Sequence, residues 1–385
     1  MSWRDFLRTL KERGLAWVRL AICDQHAGLV AALRQPSGRR PACLLACRSE
    51  EGSLVLALTD LPLDELVRYR PTVAEPDDFD DFWDRTLTEA RAHDLDVRSE
   101  QIRTPYRTVT VYDLSFSGFA GDRISAWLTI PRGIDGPLPA VVEFVGYGGG
   151  RDLPGASIWW ASAGYAHLLM DSRGQGSAWG GGGDTDDPHG SGPSAPGVMT
   201  RGVEHPDTYY YRRLMTDAVR AVDAVRSLPE VASDSVSVQG VSQGGGLALA
   251  AAGLIPDLVA VMPDVPFLCH FRRALEVCEK NPFDEITRYL SVRRSSVDQV
   301  FATLSYFDAV NFAKRANAPA FFSVALRDLT CPPSTVYAAF NHYAAEKEMT
   351  VYEFNDHEGG LSHQKLAQIT WLGRKLAGVD AETTG

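Results

Sequence analysis

The sequence is short of several things, and each absence removes a class of function. No run approaches the roughly 18 consecutive apolar residues of a membrane-spanning helix, although 45% of the 385 residues are hydrophobic. Basic charge is scarce: 38 Lys and Arg face 49 Asp and Glu, for a net charge of −11. That sign disfavours nucleic acid or an anionic membrane as a partner, because phosphate binding needs a clustered basic face. The six cysteines (Cys23, Cys43, Cys47, Cys269, Cys278 and Cys331) include no C-x-x-C pair and no disulfide-dense spacing. Only Cys43 and Cys47 lie close together, without a histidine cluster to suggest zinc. Reduced, structural thiols in a cytoplasmic protein are expected. Basic residues near the N-terminus (Arg4, Arg8, Lys11, Arg13) resemble a leader, but Arg19 and Asp24 interrupt the apolar stretch that should follow; secretion is not signalled.

What is present divides the chain unevenly. Residues 1–58 hold nine Arg/Lys against five Asp/Glu, a net of +4 that leaves −15 for the rest. They have helix-compatible patches (Trp3–Val18), a break near Pro36–Pro41, and no sustained pattern. We read them as an extension of uncertain structure, with a small helical element as the competing reading. An over-extended start is a further reading, although the next methionine is Met170. From residue 59 to 378 the signals sharpen, and 379–385 reads as a flexible tail. Glu75–Asp78 opens a helix with acids in its first turn and Pro near N1, whose apolar face is Phe79, Phe82, Trp83, Leu87 and Ala90. Val109–Phe116 and Ile124–Ile130 alternate as an antiparallel hairpin. Near-continuous apolar strands follow at Ala140–Val145, His167–Asp171, Val236–Gly240, Leu258–Met262, Ala320–Leu326 and Thr350–Phe354. Helices at Tyr209–Leu228 and Gly244–Leu254 separate some of these. This rhythm predicts an α/β fold with a mostly parallel sheet covered on both faces. Phe267–Ala318 breaks it with charged, helix-like sequence, as a cap-like insertion would. The loop from Gly180 to Pro196 is long enough to suggest function.

The chemistry centres on Gly240-Val241-Ser242-Gln243-Gly244. A strand breaks into a glycine-flanked serine and runs straight into an Ala/Leu helix, the form of a nucleophile elbow. Side chains at Gly240 and Gly244 would collide across the turn. Serine needs an adjacent base, usually a histidine oriented by a carboxylate. In the α/β-hydrolase order Ser–Asp–His, Asp328 follows a late strand and His357 follows the last one. Asp356 and Asp308 compete as the acid, but Asp356 adjoins His357 and should point away from the imidazole. His363, the nearby rival base, falls inside the last helix. Oxyanion donors are expected from the backbone N–H of Gln243 and from Tyr147 in Val145–Gly150. That loop lacks the G-K-[ST] of a phosphate-binding loop, and no G-x-G-x-x-G leads into a helix. Asp171–Gly176 forms a compact motif at a strand end, in which Arg173 takes a partly buried structural role beside an acid.

Together, Arg173-Gly174-Gln175-Gly176, Gly240–Gly245 and His357-Glu358 resemble the three-part signature of the acetyl xylan esterase / cephalosporin C deacetylase family, carbohydrate esterase family 7. The resemblance also takes in Leu61–Leu66, Asp78–Trp83, Thr200–Gly202, Tyr209–Arg212, and Pro332–Thr335 beside Asp328. It covers residues 59 to about 376. It implies an α/β-hydrolase fold, Ser242 as nucleophile, Asp328 as acid, His357 as base, and Tyr147 and Gln243 as oxyanion donors. It further implies a cofactor-free deacetylase of short acetylated oligosaccharides and cephalosporin C, and a homo-oligomer, commonly a hexamer, which the basic extension would crowd. Val145 departs from the family, many of whose members have a histidine there, which touches loop packing and acyl preference. Other short-chain esterases, peptidases or acyltransferases share the triad. A binding protein on the same fold would be expected to have lost it, whereas here every position is intact.

Overall fold

The structure, a computed structural model, describes residues 60–378 apart from Ser191, and before them the backbone of three strands. The chain divides into two compact units, Met1–Pro62 and Leu63–Gly385. In the first, β1 (Val18–Ile22) runs parallel to β2 (Ala42–Arg48), which pairs antiparallel with β3 (Leu54–Leu56). No strand was expected in this stretch; runs rich in Val, Ile and Leu suit a sheet. The patch from Trp3, the Pro36–Pro41 break and the 379–385 tail lie outside the described residues.

The second unit is built on nine strands: β4 (Arg98–Ile102), β5 (Val109–Ser117), β6 (Arg123–Pro131), β7 (Leu138–Phe144), β8 (Ala166–Met170), β9 (Val231–Val241), β10 (Val261–Asp264), β11 (Ala320–Ala325) and β12 (Lys347–Tyr352). Their order is β12-β11-β10-β9-β7-β8-β6-β5-β4. The six from β12 to β8 are parallel, and β6, β5 and β4 add antiparallel at one edge. The expected hairpin is β5–β6, in register from Val109↔Pro131 to Ser117↔Arg123. Strand β4 was not foreseen, because Arg-Ser-Glu-Gln-Ile has no apolar alternation; its charge blunts an exposed sheet edge.

Helices cover the sheet. Helix α1 (Phe79–Arg91) buries the predicted face, but it starts at Phe79, so Pro76 precedes the cap and the first-turn acids are Asp80 and Asp81. Helix α2 (Tyr210–Arg226) is buried along nearly its whole length, and α3 (Gln243–Leu254), almost all small or apolar, has no polar face. The insertion contributes α4 (Phe271–Val277), α5 (Phe283–Val292), α6 (Val297–Ser305) and α7 (Ala309–Ala313). The last of these belongs to the helical layer beside α3: a Cβ on Gly253 would stand 2.7 Å from the Phe312 carbonyl oxygen. The cap-like part therefore ends before α7, earlier than Ala318. Helices α8 (Pro333–His342) and α9 (Leu361–Leu376) complete the unit. Under α9, Trp160, Met262, Phe321, Trp371 and Leu372 form one core cluster.

This topology fixes where a site can form. From β7 the chain moves on to β8 on one side, and from β9 to β10 on the other. The loops leaving β7 and β9 diverge, opening a crevice at their carboxyl ends, where ligands bind in such sheets.

Candidate active site

Ser242 sits at that crevice between β9 and α3, with φ 56° and ψ −117°. The backbone strain is held by close packing. A Cβ on Gly240 would come 2.2 Å from the Gly244 carbonyl carbon, and one on Gly244 would come 2.0 Å from the Phe144 oxygen. The Ser242 N–H donates to the Asp264 carbonyl at 2.9 Å, anchoring the turn to β10. Both glycines are thus required by contact with backbone, which has nowhere to retreat.

His357 follows β12 and places Nε2 3.0 Å from Ser242 Oγ. Its Nδ1 lies 2.8 Å from Asp328 Oδ2. The Asp328 side chain is fully buried, and Oδ1 accepts the N–H groups of Thr330 and Cys331 at 2.7 and 2.8 Å. An ionised carboxylate only accepts, so the imidazole carries its proton on Nδ1 and turns the Nε2 lone pair toward Ser242 Oγ. Asp356 instead accepts the N–H groups of Leu329 and His357 and pairs with Lys280. Asp308 caps α7 and accepts the N–H groups of His270 and Phe271. His363 lies in α9. Asp328, Cys331 and His357 offer atoms close enough to ligate a metal, but Asp328 already spends one oxygen on two amides and the other on the imidazole.

Around this relay, Gln175 joins the two loops of the crevice. Its Oε1 accepts the Gly148 N–H at 2.6 Å, and its Nε2 donates to Tyr210 Oη at 2.8 Å and Gln243 Oε1 at 2.9 Å. Gln243 Oε1 also accepts from Tyr211 Oη, while its Nε2 donates to the Val145 carbonyl. The N–H groups of Tyr147 and Gln243 have no protein acceptor among the described residues, as suits donors held for an incoming oxyanion. Arg173 is wholly buried, deeper than expected. Its Nε and Nη2 grip Asp217 at 2.5 and 2.8 Å, and Nη1 reaches Asp122 at 2.9 Å. Burial alone would lower its pKa, but Asp217 and Asp122 outweigh this and raise it. Gly174 and Gly176 adopt φ of +62° and +99°, turning the chain so that Gln175 faces the crevice. Glu358 lines the cavity and accepts from Asn355 Nδ2 at 3.0 Å.

Two residues in the site were not anticipated. Buried Glu285 on α5 accepts from Tyr147 Oη at 2.6 Å and from the Met199 N–H at 3.0 Å. Burial raises its pKa against the lowering effect of those bonds. Trp179 precedes the Gly180–Pro196 loop and donates Nε1–H to the Tyr147 carbonyl at 2.7 Å. Nothing in sequence joined either to Tyr147; a tryptophan at the start of a long glycine loop was the one available signal. A cavity of about 390 Å³ opens over Ser242 and His357, its walls including Tyr147, Trp179 and, from the insertion, Asn281 and Pro282.

Fold and relay together define an α/β-hydrolase of the serine-esterase class. The comparisons with known proteins narrow that class. The family model described as "Acetyl xylan esterase (AXE1)" matches residues 56–375, and the chain belongs to that family. The acetyl xylan esterase from Paenibacillus sp. R4 is 38% identical, with a TM-score of 0.77 over 81% of this chain and 99% of its own. Acetyl xylan esterase 1 from Thermoanaerobacterium sp. JW/SL YS485 is 34% identical, with a TM-score of 0.75 over 82% of this chain and 99% of its own. Acetyl esterase Axe7A of Xylanibacter ruminicola is 29% identical over 80% of this chain and 69% of its own length. A second family model, described as "Transposase, Mutator family", matches residues 1–41, outside the esterase match.

Proposed function

We propose that the chain removes acetyl groups from small acetylated sugars such as xylo-oligosaccharides, with Ser242 as nucleophile, His357 as general base and Asp328 as its orienting acid. The observation that carries this reading is the unbroken relay Asp328–His357–Ser242, opening into a cavity in a chain matched along residues 56–375 to acetyl xylan esterases. In the first half-reaction Ser242 Oγ attacks the acetyl carbonyl while Nε2 of His357 takes its proton. The N–H groups of Tyr147 and Gln243 hold the resulting oxyanion. The imidazolium, stabilised by Asp328, then protonates the departing sugar oxygen, and an acetyl-serine remains. Water enters, His357 removes its proton, and acetate leaves. Arg173, Gly174, Gln175, Gly176, Gly240, Gly244 and Glu358 shape the site without touching the reacting atoms. Cephalosporin C, an acetyl ester of a small polar alcohol, falls within the same reading. We further propose residues 59–378 as the hydrolase domain of a cytoplasmic homo-oligomer, with residues 1–58 as an extension.

The test is a panel of acetyl, butyryl, octanoyl and peptide substrates on the wild type and Ser242→Ala. Acetyl esters should be turned over fastest, and the variant should lose several orders of magnitude in kcat. Wild-type rates in Ser242→Ala would overturn the assignment.

A further inference from the structure

We infer that Trp179 is the platform on which the sugar moiety of the substrate stacks, a role that rests on the deacetylase reading and adds to it the residue that recognises the alcohol. The indole lies against the ribbon Gly146–Gly149. A Cβ on Gly149 would stand 2.3 Å from Trp179 Cζ2, and one on Gly146 would stand 3.4 Å from the same atom. Glycine at these positions therefore gives the ring its seat. The Nε1–H bond to the Tyr147 carbonyl fixes the ring within its plane. Even so, Trp179 remains 52% exposed; Trp159 is also exposed, but of the two only Trp179 lines the cavity over Ser242. A large aromatic surface, held by backbone and left open beside Ser242 and His357, is built to be covered by something else.

The chemistry of the remaining wall says what covers it. Asn281, Thr330 and Glu358 line the same cavity, setting polar groups among an otherwise largely apolar wall of Trp179, Val241, Pro282 and Leu361. A pyranose has the matching character, with C–H groups on its face and hydroxyls around its rim. An acyclic alkyl acetate has the ester but neither of these.

Trp179 also braces the carbonyl of an oxyanion donor, so the experiment must separate stacking from bracing. Trp179→Phe and Trp179→Leu both abolish the bond to the Tyr147 carbonyl, but only the first keeps a ring face. Their kcat/KM values are compared on acetylated xylobiose and on ethyl acetate. The platform predicts that Leu falls about tenfold below Phe on acetylated xylobiose, mainly through KM, a loss within the range of one aromatic stack. On ethyl acetate the two variants should agree within about twofold, since both lose the bracing bond. Equal values for the two variants on acetylated xylobiose would overturn the platform while leaving the deacetylase reading intact. A wild type inactive on both esters would overturn the reading and the platform with it.

Discussion

Replacing Gln175 by alanine isolates the coupling between the two loops of the crevice. Four bonds are lost, one of them a long 3.5 Å contact from Gln243 Nε2, which keeps its bond to the Val145 carbonyl; their consequences differ. Tyr210 Oη still donates to the Arg173 carbonyl, and Gln243 Oε1 still accepts from Tyr211. Only the Gly148 N–H is left without its acceptor, and an orphaned donor of this kind costs about 1–3 kcal/mol. Gly148 adjoins Tyr147, so the disturbance falls on one oxyanion donor. Outright loss of such a donor costs about 10²–10³ in kcat, which sets the ceiling. Gln175→Ala should therefore lower kcat on p-nitrophenyl acetate by between ten- and several-hundred-fold, with a lowered Tm. A fluorophosphonate probe should still label Ser242, because the elbow is intact. A folded Gln175→Ala protein with kcat within twofold of wild type would refute the argument that this side chain sets the oxyanion loop.

Further outcomes follow from the same geometry. Asp328→Asn leaves the shape intact but favours the wrong imidazole tautomer, and should reduce kcat by about 10⁴ at unchanged Tm, read by steady-state kinetics and thermal melting. Gly244→Ala drives a methyl into the Phe144 carbonyl and should yield unfolded or strongly destabilised protein, read by circular dichroism. Burial pushes Asp264 from 3.8 up to about 6 despite the hydroxyl it accepts from Ser323. Between those values the folded protein holds a proton that the unfolded chain has released. Its contribution to stability therefore falls as pH rises through that window and is least above pH 6. Asp264→Asn should gain stability relative to wild type from pH 4 to pH 7, by on the order of 1–3 kcal/mol, as measured by urea melts at each pH.

The sequence made the proposed nucleophile legible because the elbow has a local signature: Gly240 is required by Gly244 within the turn itself, although Gly244 is required by the Phe144 carbonyl on β7. Asp328 and His357 were legible by order, since each follows a strand that its own apolar run declares. Arg173 was placed beside an acid, but not beside Asp217, which lies 44 residues away on a helix buried on every side. Glu285 and Trp179 were out of reach for the same reason. Each meets Tyr147 only through tertiary packing, across 138 and 32 residues. Strand β4 escaped notice because an edge strand needs no apolar face, and the end of the insertion was misjudged because α7 is short and packs through backbone against Gly253.

The clasp of Tyr147 on Glu285 ties the insertion to the oxyanion loop through a buried carboxylate. Lifting α5 would pull on the loop that carries Tyr147, the proposed oxyanion donor. Amide exchange around Glu285 should accordingly quicken in Tyr147→Phe, which removes the tether while keeping the ring.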